Sequence, residues 1–230
     1  MAPFGASRAG LMSVAVDDIP DAQHYHIGDE GSGETIEDQE GSQNITLNGP
    51  SWESRSSFAG DLGVRFNRSN ADEATATLTQ GDSLTVMIRV KADSMSTSSP
   101  TFNTVFNHGS DFDPPYLVYD TDGTEWVFRY ASGEDIRVTD SQTDVESNDR
   151  ILAARRDANN AKLDVYDQNK NLIDSASATN GGTSWSSATT TFGNWGDNTR
   201  EWDGLMDPNL IWDDSFVSDS QVSEWLSDYY

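Results

Sequence analysis

The sequence contains no cysteine in 230 residues and only three histidines. Without thiols the protein can form no disulfide, no iron–sulfur cluster and no thiolate zinc site, and it has no cysteine nucleophile. The three histidines, at positions 24, 26 and 108, do not favour a transition-metal site built from imidazoles. These absences exclude thiol chemistry and leave oxygen atoms as the main available metal ligands.

Long apolar stretches are also missing. The longest one near the N-terminus, residues 11–16, is short and lacks the basic region and the cleavage site of a signal peptide. The sequence therefore predicts no transmembrane segment and no secretion signal. Phosphate-cradling glycine loops, dinucleotide fingerprints and nucleophile elbows are absent as well.

Lysine is scarce, and acidic residues dominate the charge. Only three of the 14 basic residues are lysines, against 39 Asp and Glu, which gives a formal net charge of −25. This dispersed acidity resembles that of proteins from high-salt archaea, because at about 1 M salt the Debye length falls to about 3 Å and like-charge repulsion is screened. The alternative is an ordinary acidic protein. Either way, the surface predicts no binding to nucleic acid and no membrane insertion.

Short strand-like segments separated by turn residues make up most of the chain. Residues 84–90 alternate as a strand, and residues 116–130 predict an aromatic hairpin around an Asp-Gly turn. Residues 139–149 are predicted to form an acidic loop. About a dozen such strands at regular spacing predict an all-β, two-sheet antiparallel sandwich.

The C-terminal part of the chain predicts strands followed by a helix. Residues 201–207 predict a strand with a bulge or a close backbone contact at Gly204. Residues 218–225 predict one short helix, with Ser218 or Asp219 as its N-cap.

This region resembles the closing segment of LamG-type, concanavalin A-like jelly-roll domains. The matching positions are Arg200, Trp202, Gly204, Leu205, Asp207, Ile211, Trp212, Ser218 and Val222. With looser matches nearer the N-terminus, the resemblance spans residues 23–230 and implies a two-sheet antiparallel jelly roll. This fold carries lectins, glycosidases, adhesion modules and virion parts, so the resemblance alone implies no single function.

Residues 1–22 differ in composition from the jelly-roll domain that is predicted over residues 23–230. They are rich in Gly, Ala and Ser and contain no acid before Asp17. We expect an extended arm that becomes ordered on a partner chain, and the alternative is a frayed terminus. The expected docking residues are Phe4, Arg8, Leu11 and Met12.

Aromatic residues in predicted loops are candidates for sugar or receptor binding, because aromatic faces and polar rim residues bind sugars in lectins of this architecture. These candidates are Trp185, Trp195, Phe112 and Tyr116. The alternative is that Trp185 and Trp195 cap the sandwich core. Core positions are expected for the remaining tryptophans considered, Trp52, Trp126, Trp202 and Trp212.

One loop carries a candidate calcium site. Asn107, Asp111 and Asp113 place oxygen ligands close together, and Gly109 allows a sharp turn between them. Hard cations prefer such oxygen clusters, so calcium is the expected ion. The alternative is that these are solvated turn residues on an acidic surface.

An enzymatic alternative rests on Glu201 and Asp203, with Asp207 beyond them. Glycoside hydrolysis needs two carboxylates roughly 5–9.5 Å apart, and residues at i and i+2 of a strand share a face. In a chain with 39 acidic residues such pairs arise by chance. We therefore predict no catalytic residues and a protein that is not an enzyme.

The combination of an extracellular type of fold with no secretion signal leads to one functional prediction. We expect an exposed virion subunit of a haloarchaeal virus, such as a tail fibre, spike, turret or capsid decoration, assembled in the host cytoplasm. The arm would bind other virion proteins, and the jelly roll, as a trimer or pentamer, would bind a host-surface glycoprotein or glycan. The alternatives are a cellular carbohydrate-binding or adhesion module and a glycoside hydrolase.

Overall fold

The computed structural model describes residues 24–26, 31–39, 41–55, 58, 62–78, 82–98, 101–109, 114–179, 188–195 and 200–230. The predicted arm, residues 1–22, lies outside the described residues. The strands in chain order are β1 (His24–His26), β2 (Thr35–Ile36), β3 (Ile45–Asn48), β4 (Ser51–Ser54), β5 (Leu62–Phe66), β6 (Glu73–Leu78), β7 (Leu84–Ala92), β8 (Phe102–His108), β9 (Tyr116–Asp120), β10 (Glu125–Ala131), β11 (Glu134–Thr139), β12 (Arg150–Arg156), β13 (Asn160–Asp167), β14 (Leu172–Thr179), β15 (Ala188–Phe192), β16 (Gly204–Met206) and β17 (Leu210–Asp213). The helices are α1 (Gln142–Ser147) and α2 (Asp219–Tyr229), and a 3-10 turn spans Arg68–Asn70.

The strands form two antiparallel sheets, as the sequence predicts. The nine-stranded sheet has the order β14-β13-β12-β7-β16-β5-β4; in addition β17 pairs with β7, and β1 pairs with β17. The eight-stranded sheet has the order β11-β10-β9-β8-β15-β6-β3-β2. Together with the C-terminal helix α2, this arrangement confirms the predicted two-sheet jelly-roll sandwich.

Two short strands share one edge of β7, and Gly204 begins one of them. Strand β17 pairs with the first half of β7 and β16 with the second half. Gly204 has a φ of 154°, and a Cβ built there would overlap the carbonyl oxygen of Lys91. The close backbone contact predicted at this glycine is therefore confirmed, although the strand begins only at Gly204 and not at residue 201.

The core lies between the sheets and consists of the alternating inward residues of both. Trp126, Trp202 and Trp212 are fully buried there, as predicted, and the rings of Trp126 and Trp202 stack with centroids 6.2 Å apart. Trp52 is half-buried against this core and donates its indole N–H to the carbonyl oxygen of Gly33 at 3.0 Å.

Helix α2 covers the outer face of the nine-stranded sheet. Ser218 is its N-cap and forms a capping box with Gln221, which selects between the two predicted caps. The apolar face of the helix packs on β7, β12 and β17 through Val222, Trp225 and Leu226. Within the described residues, no helix is long and apolar enough to span a bilayer.

Residues 139–149 contain a helix where a loop is predicted. Ser141 caps α1 by accepting a hydrogen bond from the backbone N–H of Asp144, and Val145 buries its side chain in the core. Val145 is the single apolar residue among the acidic and polar residues of this segment, so the sequence shows no apolar periodicity that would predict a helix.

A buried ion pair beside α1 connects the two sheets. The carboxylate of Asp140 accepts hydrogen bonds from Arg150 Nε at 2.6 Å and Nη2 at 2.9 Å, and from the indole N–H of Trp126 at 3.1 Å. The hydroxyl of Tyr119 donates to the backbone carbonyl of Asp140 at 2.7 Å. Arg150 belongs to the nine-stranded sheet and both aromatic residues to the eight-stranded sheet.

Arg150 is one of several basic residues in the interior. Of the 14 basic residues of the chain, five are among the buried described residues. They are Arg89, Lys91, Arg150, Arg155 and Arg156. Arg156 donates to the backbone carbonyls of Tyr130 and Asp82, and burial lowers its pKa to about 10.

Replacing Asp140 by Ala should lower the free energy of unfolding by about 3–5 kcal/mol, because it leaves the Arg150 guanidinium buried without its counter-charge. Urea unfolding at constant salt measures this change. The matched control is Asp174→Ala, which removes an exposed carboxylate on β14 and should change stability by no more than about 0.5 kcal/mol. Equal, small effects of the two substitutions would contradict the role assigned to the ion pair.

Candidate functional site

A row of polar side chains crosses the outer face of the eight-stranded sheet. Facing residues of antiparallel strands point to the same side of a sheet, so the strand register identifies the members of this row. Their strand neighbours Leu47, Leu117 and Phe192 point into the core. The polar row, in order across the sheet, consists of Thr35, Thr46, Thr75, Thr191, Asn107, Tyr116, Arg129 and Asp135.

One half of this face is rich in threonine and open to solvent. Thr46, Thr77 and Thr189 are exposed, while Thr75 and Thr191 are half-buried. We call these five residues the threonine patch. They belong to the adjacent strands β3, β6 and β15. Their β-branched side chains suit strands, and each hydroxyl can donate and accept hydrogen bonds. The strands therefore present a regular array of hydroxyls with about 4.8 Å between neighbouring strands.

The other half of the face carries an aromatic cluster, defined by Tyr116, Val118, Val127 and Trp195 with Phe102 packed against them. The rings of Tyr116 and Trp195 meet edge to face, with centroids 4.6 Å apart. Two guanidinium groups lie over these rings: that of Arg129 is 5.3 Å from the Tyr116 centroid, and that of Arg200 is 5.2 Å from the Trp195 centroid.

An ion-pair network borders the aromatic cluster on β10 and β11. Arg129 donates to Asp135 at 3.0 Å, and Arg137 donates to Asp135 and to Glu125. Burial alone would raise the pKa of Asp135, but the hydrogen bonds from Arg137 and Arg129 outweigh burial and hold that pKa below its ordinary value. Asp120 lies 3.6 Å from Arg137, so three carboxylates surround the two guanidinium groups.

The structure brings together two of the aromatic residues predicted to bind sugar. Tyr116 and Trp195 are each only 1% exposed, so protein atoms occupy their surfaces and neither ring is open to a sugar in this structure. Trp195 also does not cap the core between the sheets, because it packs on the outer face of the eight-stranded sheet. The other two predicted aromatic residues, Phe112 and Trp185, lie outside the described residues.

The predicted calcium ligand Asn107 belongs to the same face. It is 2% exposed, and among the described residues its Oδ1 atom, like Oγ1 of Thr104 on the same strand, is buried without a hydrogen-bond partner. An amide oxygen of this kind fits a hard cation as a ligand. Asp111 and Asp113 lie outside the described residues, and the residues that are described contain no cluster of three or more His, Asp or Glu that could hold a metal. Calcium binding therefore stays a prediction.

The carboxylates of the enzymatic alternative have different surroundings. Glu201 is 5% exposed and, like Asp203, precedes β16, so the two do not share a strand face. Burial raises the pKa of Asp203. Asp207 accepts hydrogen bonds from the backbone and the side-chain amide of Asn209, which shapes the turn between β16 and β17.

Sequence reasoning missed the threonine patch and the arginines beside the aromatic cluster. The threonines of residues 74–78, which alternate, and of residues 188–192, which are consecutive, are visible in the sequence. The register that brings them together is not visible there, because β6 and β15 are more than a hundred residues apart.

Comparisons with known proteins agree with the sandwich fold. No protein-family model and no curated protein sequence matches the chain. Among solved structures, Trypanosoma rangeli sialidase matches with a TM-score of 0.62 and 13% identity over 90% of this chain and 33% of its own. The binding domain of botulinum neurotoxin DC in complex with SialylT matches with a TM-score of 0.62 and 10% identity over 92% of this chain and 52% of its own.

A third matched structure corresponds to the described fold almost end to end. Domain 4 of AbnA, an extracellular arabinanase from Geobacillus stearothermophilus, in complex with arabinotriose, gives a TM-score of 0.58 and 15% identity over 89% of this chain and 97% of its own. The chain thus spans a third to a half of the sialidase and neurotoxin chains, but nearly all of this domain. At these identities the likeness establishes the β-sandwich fold.

Replacing Trp195 by Ala should lower the pKa of Tyr116 toward its ordinary value of about 10, because burial raises this pKa and Trp195 packs against the ring. Carbon NMR of tyrosines labelled at Cζ, with Tyr116→Phe to assign the signal, measures the pKa. Trp52→Ala is the control, since it removes a half-buried indole outside the aromatic cluster. An unchanged pKa in Trp195→Ala would show that this tryptophan does not bury Tyr116.

Proposed function

We propose that this protein is a carbohydrate-binding module that presents the outer face of its eight-stranded sheet to a glycan. The polar row is the observation that carries this proposal, because its threonine half places exposed and half-buried hydroxyls of adjacent strands on one rigid face. Helix α2 lies on the opposite sheet, and Thr46, Thr77 and Thr189 on this face are exposed to solvent. Strands hold such groups at fixed spacing, which reduces the entropy lost on binding.

The charge of the face favours a neutral glycan. Arg129 and Arg137 are already paired with Asp135 and Glu125, and Asp120 adds a further carboxylate nearby. An anionic sugar would have to displace these carboxylates and approach a protein with a formal net charge of −25. Direct stacking on Tyr116 or Trp195 is not part of the proposal, because both rings are buried.

Three of the matched structures are complexes with saccharides, and they support a saccharide as the ligand. T. rangeli sialidase was solved with sialic acid, the neurotoxin DC binding domain with SialylT, and AbnA domain 4 with arabinotriose. The arabinanase domain is the most informative of these, because this chain covers nearly the whole of it.

The double substitution Thr75→Val with Thr191→Val should weaken glycan binding about tenfold. It keeps the β-branched shape of both residues and removes two hydroxyls from the middle of the polar row, where each hydrogen bond contributes about 0.5–1.5 kcal/mol. A glycan array of neutral oligosaccharides, followed by calorimetry on the best ligand, measures the effect.

Thr143→Val is the matched control, because Thr143 is exposed on α1, away from this face. Its affinity should equal that of the wild type, and circular dichroism should show that all three proteins fold alike. Absence of binding to any neutral glycan by the wild type, or equal affinity of the double variant, would overturn the proposed site.

We further propose that the module is a non-enzymatic structural or adhesion subunit on the virion of a haloarchaeal virus. The acidic composition, 39 Asp and Glu against 14 Lys and Arg, supports a high-salt environment, where the repulsion between surface carboxylates is screened. In this proposal residues 1–22 dock on the particle, the subunit is a trimer or pentamer, and calcium bridges the acidic surface to a host glycoprotein or glycan. The alternative, a cellular carbohydrate-binding module, is supported by the likeness to AbnA domain 4.

The purified protein should bind whole haloarchaeal cells in molar salt when calcium is present and lose that binding when a chelator is added. Substituting Asp111 and Asp113 by Asn should reduce the calcium-dependent part, whereas Asp174→Asn on exposed β14 should not. Binding that is independent of calcium would reject the ion bridge. Absence of binding under both conditions would favour a purely structural role.

A further inference from the structure

A groove on the opposite side of the sandwich forms a second candidate site. It has a volume of about 520 Å³, which is within the range of about 300–1,000 Å³ for ligand sites. It lies where β13 begins and β14 ends, beside the segment that leads into α2. Its lining consists of Asn160, Ala161, Lys162, Ser177, Ala178, Thr179 and Phe216.

The strand register places four polar residues of the groove on the same outer face of the nine-stranded sheet. Asn160 faces Thr179, and Lys162 faces Ser177, on the paired strands β13 and β14. Asn160, Ser177 and Thr179 are exposed. The groove therefore offers two hydroxyls, which can donate and accept hydrogen bonds, and the amide of Asn160, whose NH2 group is held by Asp157 and whose oxygen can accept.

The aromatic wall of the groove is held by a buried arginine. The guanidinium of Arg155 lies 5.4 Å from the centroid of the Phe216 ring, and Arg155 itself is 0% exposed. Arg155 also donates to the carbonyl oxygen of Val217 at 2.9 Å and to Asp219 at 2.7 Å, and it pairs with Asp164. The half-buried ring of Phe216 is thus supported by a fixed cation while it lines the groove.

The charges around the groove disfavour an anionic ligand. Lys162 lies 2.7 Å from Asp219 and 3.3 Å from Asp164, so two cations and two carboxylates pair with one another. Asp157, which accepts hydrogen bonds from the side-chain amide of Asn160, adds a further carboxylate beside the groove. Hydrogen bonds from Lys162 and Arg155 lower the pKa of Asp219, which keeps these pairs charged at neutral pH. An anionic ligand would have to compete with Asp219 for Lys162. A ligand with hydroxyl groups, one apolar face and no net charge fits the site best.

We propose that this groove is a second saccharide site, which takes a neutral sugar ring against Phe216 and holds its hydroxyls through Asn160, Ser177 and Thr179. This site belongs to the nine-stranded sheet, whereas the polar row belongs to the eight-stranded sheet. The proposal therefore does not depend on the polar row, and the protein would carry two separate saccharide sites.

Amide NMR titrations of the ¹⁵N-labelled protein with arabinotriose, cellobiose and N-acetyllactosamine test the proposal. At least one of these neutral sugars should shift the amides of Asn160, Lys162, Ser177 and Thr179 in a saturable way. Phe216→Ala should weaken this binding at least tenfold. Phe216→Tyr keeps an aromatic ring and should retain the binding, which guards against a general loss of structure.

The double variant Thr75→Val with Thr191→Val separates the two proposed sites. It should leave the shifts in the groove unchanged. If every neutral sugar leaves the groove amides unshifted, or if Phe216→Ala binds like the wild type, the second site is overturned, whatever happens at the polar row. Shifts produced by sialyllactose and by none of the neutral sugars would overturn the neutral class of ligand.

Discussion

The ion pair between Asp140 and Arg150 fixes the two sheets relative to each other. Arg150 begins β12 at the centre of the nine-stranded sheet, while Tyr119 and Trp126 bring β9 and β10 of the other sheet to the same aspartate. Burying two charges is unfavourable unless hydrogen bonds satisfy them, and here the carboxylate accepts three. Because these bonds fix both sheets in one place, the faces that point away from each other are also fixed. One of them carries α2, and the other carries the polar row.

Arginine side chains in the interior also pair with buried aspartates. Asp149 and Asp164 are both buried, and they pair with Arg89 and Arg155 respectively. Such buried pairs are screened far less by salt than charges on the surface, whose repulsion falls steeply when the Debye length reaches about 3 Å in molar salt. High salt would therefore relieve the repulsion between surface carboxylates and leave the internal pairs in place. The internal ion pairs are therefore compatible with the high-salt environment that we propose.

Local sequence patterns predict individual strands and the C-terminal helix, but they do not predict which strands pair or in which register. The alternation of β7, the helix cap at Ser218 and the close contact at Gly204 depend on residues near one another in sequence. Trp195 lies in a turn-rich segment, where the sequence leaves both sugar binding and core packing open. Its burial follows from backbone hydrogen bonds between the segment after β15 and β8, namely Gly193 to Val105 and Thr104 to Arg200.

The polar row likewise needs the register of eight strands, and the Asp140–Arg150 pair lies in a segment too acidic to suggest a buried cation.

The position of α2 determines which faces of the sandwich carry the two proposed sites. The helix closes the centre of one sheet face, and the segment just before its N-cap supplies Phe216 to the groove at the edge of that face. The face of the other sheet carries no helix among the described residues. Sites on opposite sheets of a rigid sandwich cannot contact one short oligosaccharide, so each would hold a different chain or a different part of a long one. The two proposed sites would then act together only on a dense glycan layer, where the effective concentration of the second chain is high. That arrangement suits attachment to a surface better than capture of a free sugar.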